Sequence, residues 1–181
     1  MKNNNTYNFD FCKNCPYSES KHLIGSLKNE PIKPEIHNSD TLLVFQTPGK
    51  DEWSGNNGTT CRAPIISNNP HSAAARMRNS FARKNVRRED FDITEVVLCY
   101  PGKYESNNRD MKPKKTAIDN CIKNLENIIS QGNYTTIISF GEVAKCAVKK
   151  ALISTNNQNI IHKAVNHPCY RLKNEDLDAL F

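Results

Sequence analysis

"TTIISFGEVAKCAVKKALISTNNQNIIHKAV" (Thr135–Val165) decides the fold class. Thr135–Phe140 is a short, branched, apolar run of the kind that is buried as a strand. Gly141–Leu152 spaces its apolar residues for a helix, and Asn159–Val165 is a second branched run. A strand, a crossover helix and another strand in so short a span form the repeating unit of a parallel sheet.

The same rhythm extends toward the N-terminus. "TLLVF" (Thr41–Phe45) reads as a buried strand, and "NNPHSAAARMRNSFARK" as a helix with Asn69 as N-cap and Pro70 at its first position. "DITEVVL" (Asp92–Leu98) is the next strand. Pro113 opens a helix whose apolar face is Ala117, Ile118, Cys121, Leu125 and Ile128, and a short terminal helix covers Asn174–Leu180. Four alternations predict a parallel sheet with helices on both faces. Residues 1–40, rich in Asn, Lys and Pro, read as an irregular arm, and 1–181 as one domain.

The chain has 181 residues, a formal net charge of +6 and seven cysteines. The basic excess favours an anionic partner. With no apolar run of signal-peptide or membrane-spanning length, a cytoplasmic location is expected. An odd number of cysteines in a cytosolic chain argues against a disulfide framework and for metal ligation.

In parallel sheets ligands bind beyond the carboxyl ends of the strands. Here those ends carry "QTPGKDEW", "CYPGK", "FGE" and "NHPCY". None has the glycine spacing of a phosphate loop. Cys12 and Cys15 form C-x-x-C in the arm, a spacing that lets two thiolates share one metal centre. Cys99, at a strand end, and Cys121, on the following helix, can complete a set of four. Four thiolates suit tetrahedral zinc or an iron–sulfur cluster. The bland alternative makes Cys121 a small core residue and Cys99 a buried thiol.

C-x-x-C, then "VVLCYPGK", then "NNRDMKPKKTAIDNC" resembles the cluster-ligand pattern of the iron–sulfur uracil-DNA glycosylases, often called family four. "VFQTPGKDEWSG" is similar to their first active-site motif, "NHPCYRL" to their second, and "TTIISFGEVAKCA" to their third strand with its helix. The resemblance runs from residue 12 to about residue 173. It implies a three-layer α/β/α sandwich with a four-stranded parallel sheet, a 4Fe–4S cluster on Cys12, Cys15, Cys99 and Cys121, and removal of a base from duplex DNA by a monomer. Three positions depart from the family. Gln46-Thr47-Pro48-Gly49 stands where it has E-A-P-G, Cys169 where it has serine, and Glu95 where it has asparagine.

Base removal needs a flipped nucleotide, a grip on the base edge, stabilisation of the base anion and a placed water. The resemblance assigns His167 to donate a hydrogen bond to the base O2. Thr47 and Gln46 can orient water, and Asp51 and Glu52 are the nearest carboxylates for activating it, although a solvated loop face suits them equally. Pro48 and Gly49 line the base pocket. Pro168, Cys169, Tyr170 and Leu172 form the wedge that enters the duplex, with Arg171 meeting phosphates. Arg76, Arg78, Arg83, Lys84, Arg87 and Arg88 form a basic cluster that is either a DNA face or a solvated one.

Glu95 changes what the pocket reads. An asparagine amide serves both O4 and N3–H of uracil, whereas an ionised carboxylate only accepts. Cytosine presents an N4–H₂ donor at that place. Gly49, where glycosylases that exclude thymine have tyrosine, leaves room beside C5. Together they favour a C5-modified cytosine, such as occurs in phage DNA, and hence a defence role; a guanine-like edge and a protonated Glu95 reading uracil are the rivals. From another functional class, a DNA-binding module held by structural zinc would show no catalysis.

Overall fold

The computed structural model describes residue 12 and residues 15–17, 31–49, 72–106 and 109–181. Asp51, Glu52, Cys61, Asn69 and Pro70 lie outside the described residues.

The strands are β1 (Thr41–Phe45), β2 (Asp92–Glu95), β3 (Thr136–Phe140) and β4 (Ile161–Val165). The helices are α1 (Ala73–Lys84), α2 (Lys115–Gln131), α3 (Glu142–Ser154) and α4 (Asn174–Asp178). All strand pairs are parallel, in the order β2-β1-β3-β4. Leu42–Phe45 and Ile137–Phe140 are buried without interruption, because the two central strands are covered on both faces. Alternate side chains serve opposite layers. Leu42, Val44 and Ile137 pack with α2, α3 and the arm residues Cys15 and Tyr17. Leu43, Phe45, Ile138 and Phe140 pack with α1 and the C-terminal segment through Met77, Phe81, Leu172 and Leu177. This is the expected three-layer α/β/α sandwich. Among the described residues, no helix is long and apolar enough to cross a membrane.

Several boundaries differ from the sequence reading by a residue or more: β4 begins at Ile161 rather than Asn159 and the terminal helix ends at Asp178 rather than Leu180. Strand β2 stops at Glu95, although the Val96 and Val97 amides still donate to Phe45 O and Gln46 O at 2.8 and 3.1 Å. Helix α1 begins at Ala73, with the Ser72 hydroxyl accepting from the Ala75 amide. Helix α2 begins two residues after Pro113, and the Lys114 amide donates to the Tyr17 hydroxyl at 2.9 Å.

The end of the arm is also more ordered than the irregular loop expected of it. Glu35 and Ile93 form an antiparallel bridge, and Ile32 N–H donates to Leu98 O at 2.9 Å. Arg88 grips Glu35 with two bonds of 2.7 Å. Buried Asp92 accepts from the His37 and Ser39 amides and from the Tyr134 hydroxyl. Residues 32–39 thus cover the outer edge of β2 and hold that strand in place.

Candidate active site at the carboxyl edge of the sheet

The chain runs outward from β1 to β2 and then returns to place β3 on the other side of β1. By the general rule for open parallel sheets, that reversal marks the place of a ligand crevice beyond the carboxyl ends of β1 and β3. Phe45 and Phe140, the last residues of these strands, stack at 4.5 Å between ring centroids and are buried beneath it. Gln46, Thr47, Pro48 and Gly49 leave the end of β1, with only Pro48 buried. Glu95 is the last residue of β2, paired in register with Phe45, and only 2% exposed. His167 follows β4 by two residues. Three strand spacings of about 4.8 Å separate β2 from β4, roughly 14 Å in all.

His167 is the best-defined side chain of the site. Its Nδ1 accepts the Cys169 amide at 3.3 Å, so the neutral ring carries its proton on Nε2. Burial pushes its pKa down from the ordinary 6.5 to about 4, which keeps the ring neutral near pH 7. Gly141, between β3 and α3, backs it: φ is +89°, and a Cβ there would stand 3.4 Å from His167 Cβ. The sequence marked "FGE" as a site loop without showing why glycine occupies it.

The wedge segment forms a tight turn, with Tyr170 N–H donating to His167 O at 2.7 Å. Pro168 and Leu172 are buried, whereas Cys169, Tyr170 and Arg171 are exposed, Tyr170 by 60%. Arg171 has φ +54° and lays its guanidinium 5.1 Å from the centre of the Tyr170 ring. The basic cluster does not behave as one face. Arg76 bonds to the wedge backbone, Arg83 pairs with Asp178, Arg87 with Asp90 and Arg88 with Glu35. Arg78 and Lys84 are exposed.

The four predicted cysteine ligands are near enough to influence one another electrostatically, Cys99 following the end of β2 by four residues. Cys15, Cys99 and Cys121 are buried and Cys12 partly so. The Cys15 amide donates to Cys12 O at 3.0 Å, closing the C-x-x-C turn. Burial raises the Cys99 pKa, and Cys121, Cys15 and Cys12 raise it further by like-charge repulsion. Burial, with Cys15 and Cys12, pushes Cys121 up to about 12 against a lowering hydrogen bond from the Leu98 backbone. Without a cation beside them, both thiols therefore stay protonated near neutral pH. Tyr17, not anticipated from the sequence, feels Cys15, Cys99 and Cys121 while tying α2 to the arm. Asn124, one turn beyond Cys121, is 4% exposed, and its side-chain nitrogen has no hydrogen-bond partner. Among the described residues, no group of three or more His, Cys, Asp or Glu side chains is arranged to hold a single metal ion. Cys146 is exposed, its thiol donating to Glu142.

The profile of the Uracil DNA glycosylase superfamily matches residues 32–180. No curated protein matches the chain. Among solved structures, wild-type Pedobacter heparinus SMUG2 is similar with a TM-score of 0.50 and 14% identity, over 78% of this chain and 72% of that one. At that identity the likeness establishes the fold alone. With most of the chain matched by the family profile, this protein belongs to the uracil DNA glycosylase superfamily, whose members are DNA glycosylases.

Proposed function

We propose that the chain hydrolyses the N-glycosidic bond of a flipped-out, C5-modified cytosine in duplex DNA, leaving an abasic site. Two residues at the carboxyl ends of their strands support this reading: a neutral His167 beyond β4 and a buried Glu95 at the last position of β2.

Water oxygen bonds to C1′ as the C1′–N1 bond breaks, and the electron pair leaves on the base. His167 Nε2–H donates to O2 as charge gathers there. A neutral donor suits this step, because it stabilises the anion without having been desolvated as a cation. Glu95 accepts from the N4–H₂ edge that uracil lacks. Gly49 leaves space beside C5. Thr47 and Gln46 orient the water, since neither is a strong base, with Asp51 and Glu52 as the carboxylates available to activate it. The exposed Cys169 and Tyr170 fill the gap left in the duplex and Arg171 meets its backbone, while Pro168 and Leu172, expected in the wedge, are buried and hold the turn from beneath.

Cys12, Cys15, Cys99 and Cys121 would hold a 4Fe–4S cluster. Four cysteine thiols close enough to feel one another's charge are the donor set that such a cluster takes. Bound there, the cluster would anchor the arm to the end of β2 and to α2 through these four residues.

Incubation with duplexes identical except for uracil, hypoxanthine, 5-methylcytosine or a 5-hydroxymethylcytosine derivative, followed by alkali, tests the reading. Strand cleavage at a modified cytosine supports it. Tight duplex binding with no release of any base refutes it in favour of a binding module.

A further inference from the structure

We propose that Arg76 is a positioning residue that locks the wedge turn in its inserting shape. Arg76 lies in the first turn of α1 and is half-buried. Its Nη1 donates to Pro168 O, and its Nη2 donates to Leu172 O and, at 2.9 Å, to Asn174 Oδ1. One rigid guanidinium thereby bridges two carbonyls four residues apart, one on each side of the exposed Cys169-Tyr170-Arg171 tip.

The turn needs such a brace. Arg171 is left-handed, a conformation that a non-glycine residue keeps only where its surroundings impose it. Leu172 anchors one end in the core beneath α1 and α4. The Arg76 fork ties both ends to the same helix. Only a planar, multiply donating group can do this, because an ammonium has no fixed fork. The clamp reaches the chemistry as well. Pro168 directly follows His167, and the Cys169 amide that sets the His167 tautomer lies inside the clamped span. Beside the tip, Arg76, Cys169, Lys173, Asn174 and Glu175 line an open groove of about 460 Å³.

The inference rests on reading the chain as a DNA glycosylase, so its test avoids any choice of target base. A duplex carrying a tetrahydrofuran abasic analogue accepts the wedge at low cost, and the same duplex without it does not. Binding of the full chain to both is measured by fluorescence anisotropy at one salt concentration. Wild-type protein should prefer the abasic duplex. Arg76→Ala should cut that preference about tenfold, the scale of one lost charged hydrogen bond, while affinity for the unmodified duplex changes less than about twofold. Mere loss of folded protein lowers both affinities together and leaves the ratio unmoved. If thermal denaturation shows Arg76→Ala to be unfolded, Arg76→Gln, which keeps one amide donor, replaces it and should show a smaller fall in the same ratio. An unchanged ratio in the folded variant overturns the proposal, as does a wild-type protein with no abasic preference. Wild-type protein that releases no base but still shows an Arg76-dependent preference defeats the glycosylase reading alone.

Discussion

Replacing His167 by alanine removes both a hydrogen-bond donor and a partly buried titrating ring, and the second loss can be read without any substrate. The ring titrates at about 4 in the folded chain and at an ordinary 6.5 when unfolded. Between those values the unfolded state binds more protons than the folded state, so stability rises with pH in that window. It is complete above about pH 6.5 and is lost as pH falls toward 4. The gap of roughly 2.5 pH units, at about 1.4 kcal/mol each, amounts to about 3 kcal/mol, of which about 2 kcal/mol is gone at pH 5. Urea unfolding followed by circular dichroism at pH 7.5 and pH 5, at constant ionic strength, should therefore show wild type losing about 2 kcal/mol more than His167→Ala. Carboxylates common to both proteins cancel in that difference. Single-turnover base release should fall by roughly 10²–10³ in the mutant, the scale for one donor to a developing anion, with DNA affinity nearly intact. The wild-type rate should show no inflection near pH 6.5. Such an inflection, or equal pH dependence of stability in the two proteins, refutes the neutral-donor assignment.

Glu95→Asn should move the preference between uracil and modified cytosine toward uracil by one to two decades, about 1–3 kcal/mol of edge discrimination; an unchanged ratio removes Glu95 as the base reader. Anaerobically purified protein should be brown, with broad absorbance near ~400 nm. Cys99→Ala or Cys121→Ala should lose the colour and the iron found by elemental analysis, whereas Cys146→Ala should keep both. Colourless protein with one zinc per chain would retain the four ligands and discard the cluster. Gly141→Ala forces a side chain into a left-handed position against His167. It should cost about 1–2 kcal/mol of stability and slow base release more than it weakens DNA binding. A wild-type melting temperature and rate would show that the contact does not matter.

Much of this architecture was legible in local patterns. Thr41–Phe45 was bounded to the residue and Thr135–Phe140 to within one, because central strands in a parallel sheet must be apolar on both faces. The cysteine set and the order of site loops followed from spacing and resemblance, and the cysteine thiols are near enough to raise one another's pKa. Strand order was not available in this way: apolar runs say that strands are buried, not which neighbour each takes. The reversal between β1 and β3, which marks the place of the crevice, is a property of the assembled sheet. The same holds for charge. Six basic residues close together in sequence looked like one surface, yet four are spent on partners in the arm, the wedge, the C-terminal helix and an adjacent turn. The arm itself, polar and without periodicity, becomes an antiparallel edge only because β2 offers it unpaired backbone. Hydrophobic periodicity is set by the geometry of a single element. Hydrogen bonds and ion pairs join residues separated by up to 98 positions, so tertiary packing alone decided which arginine holds the wedge and which glycine backs the histidine.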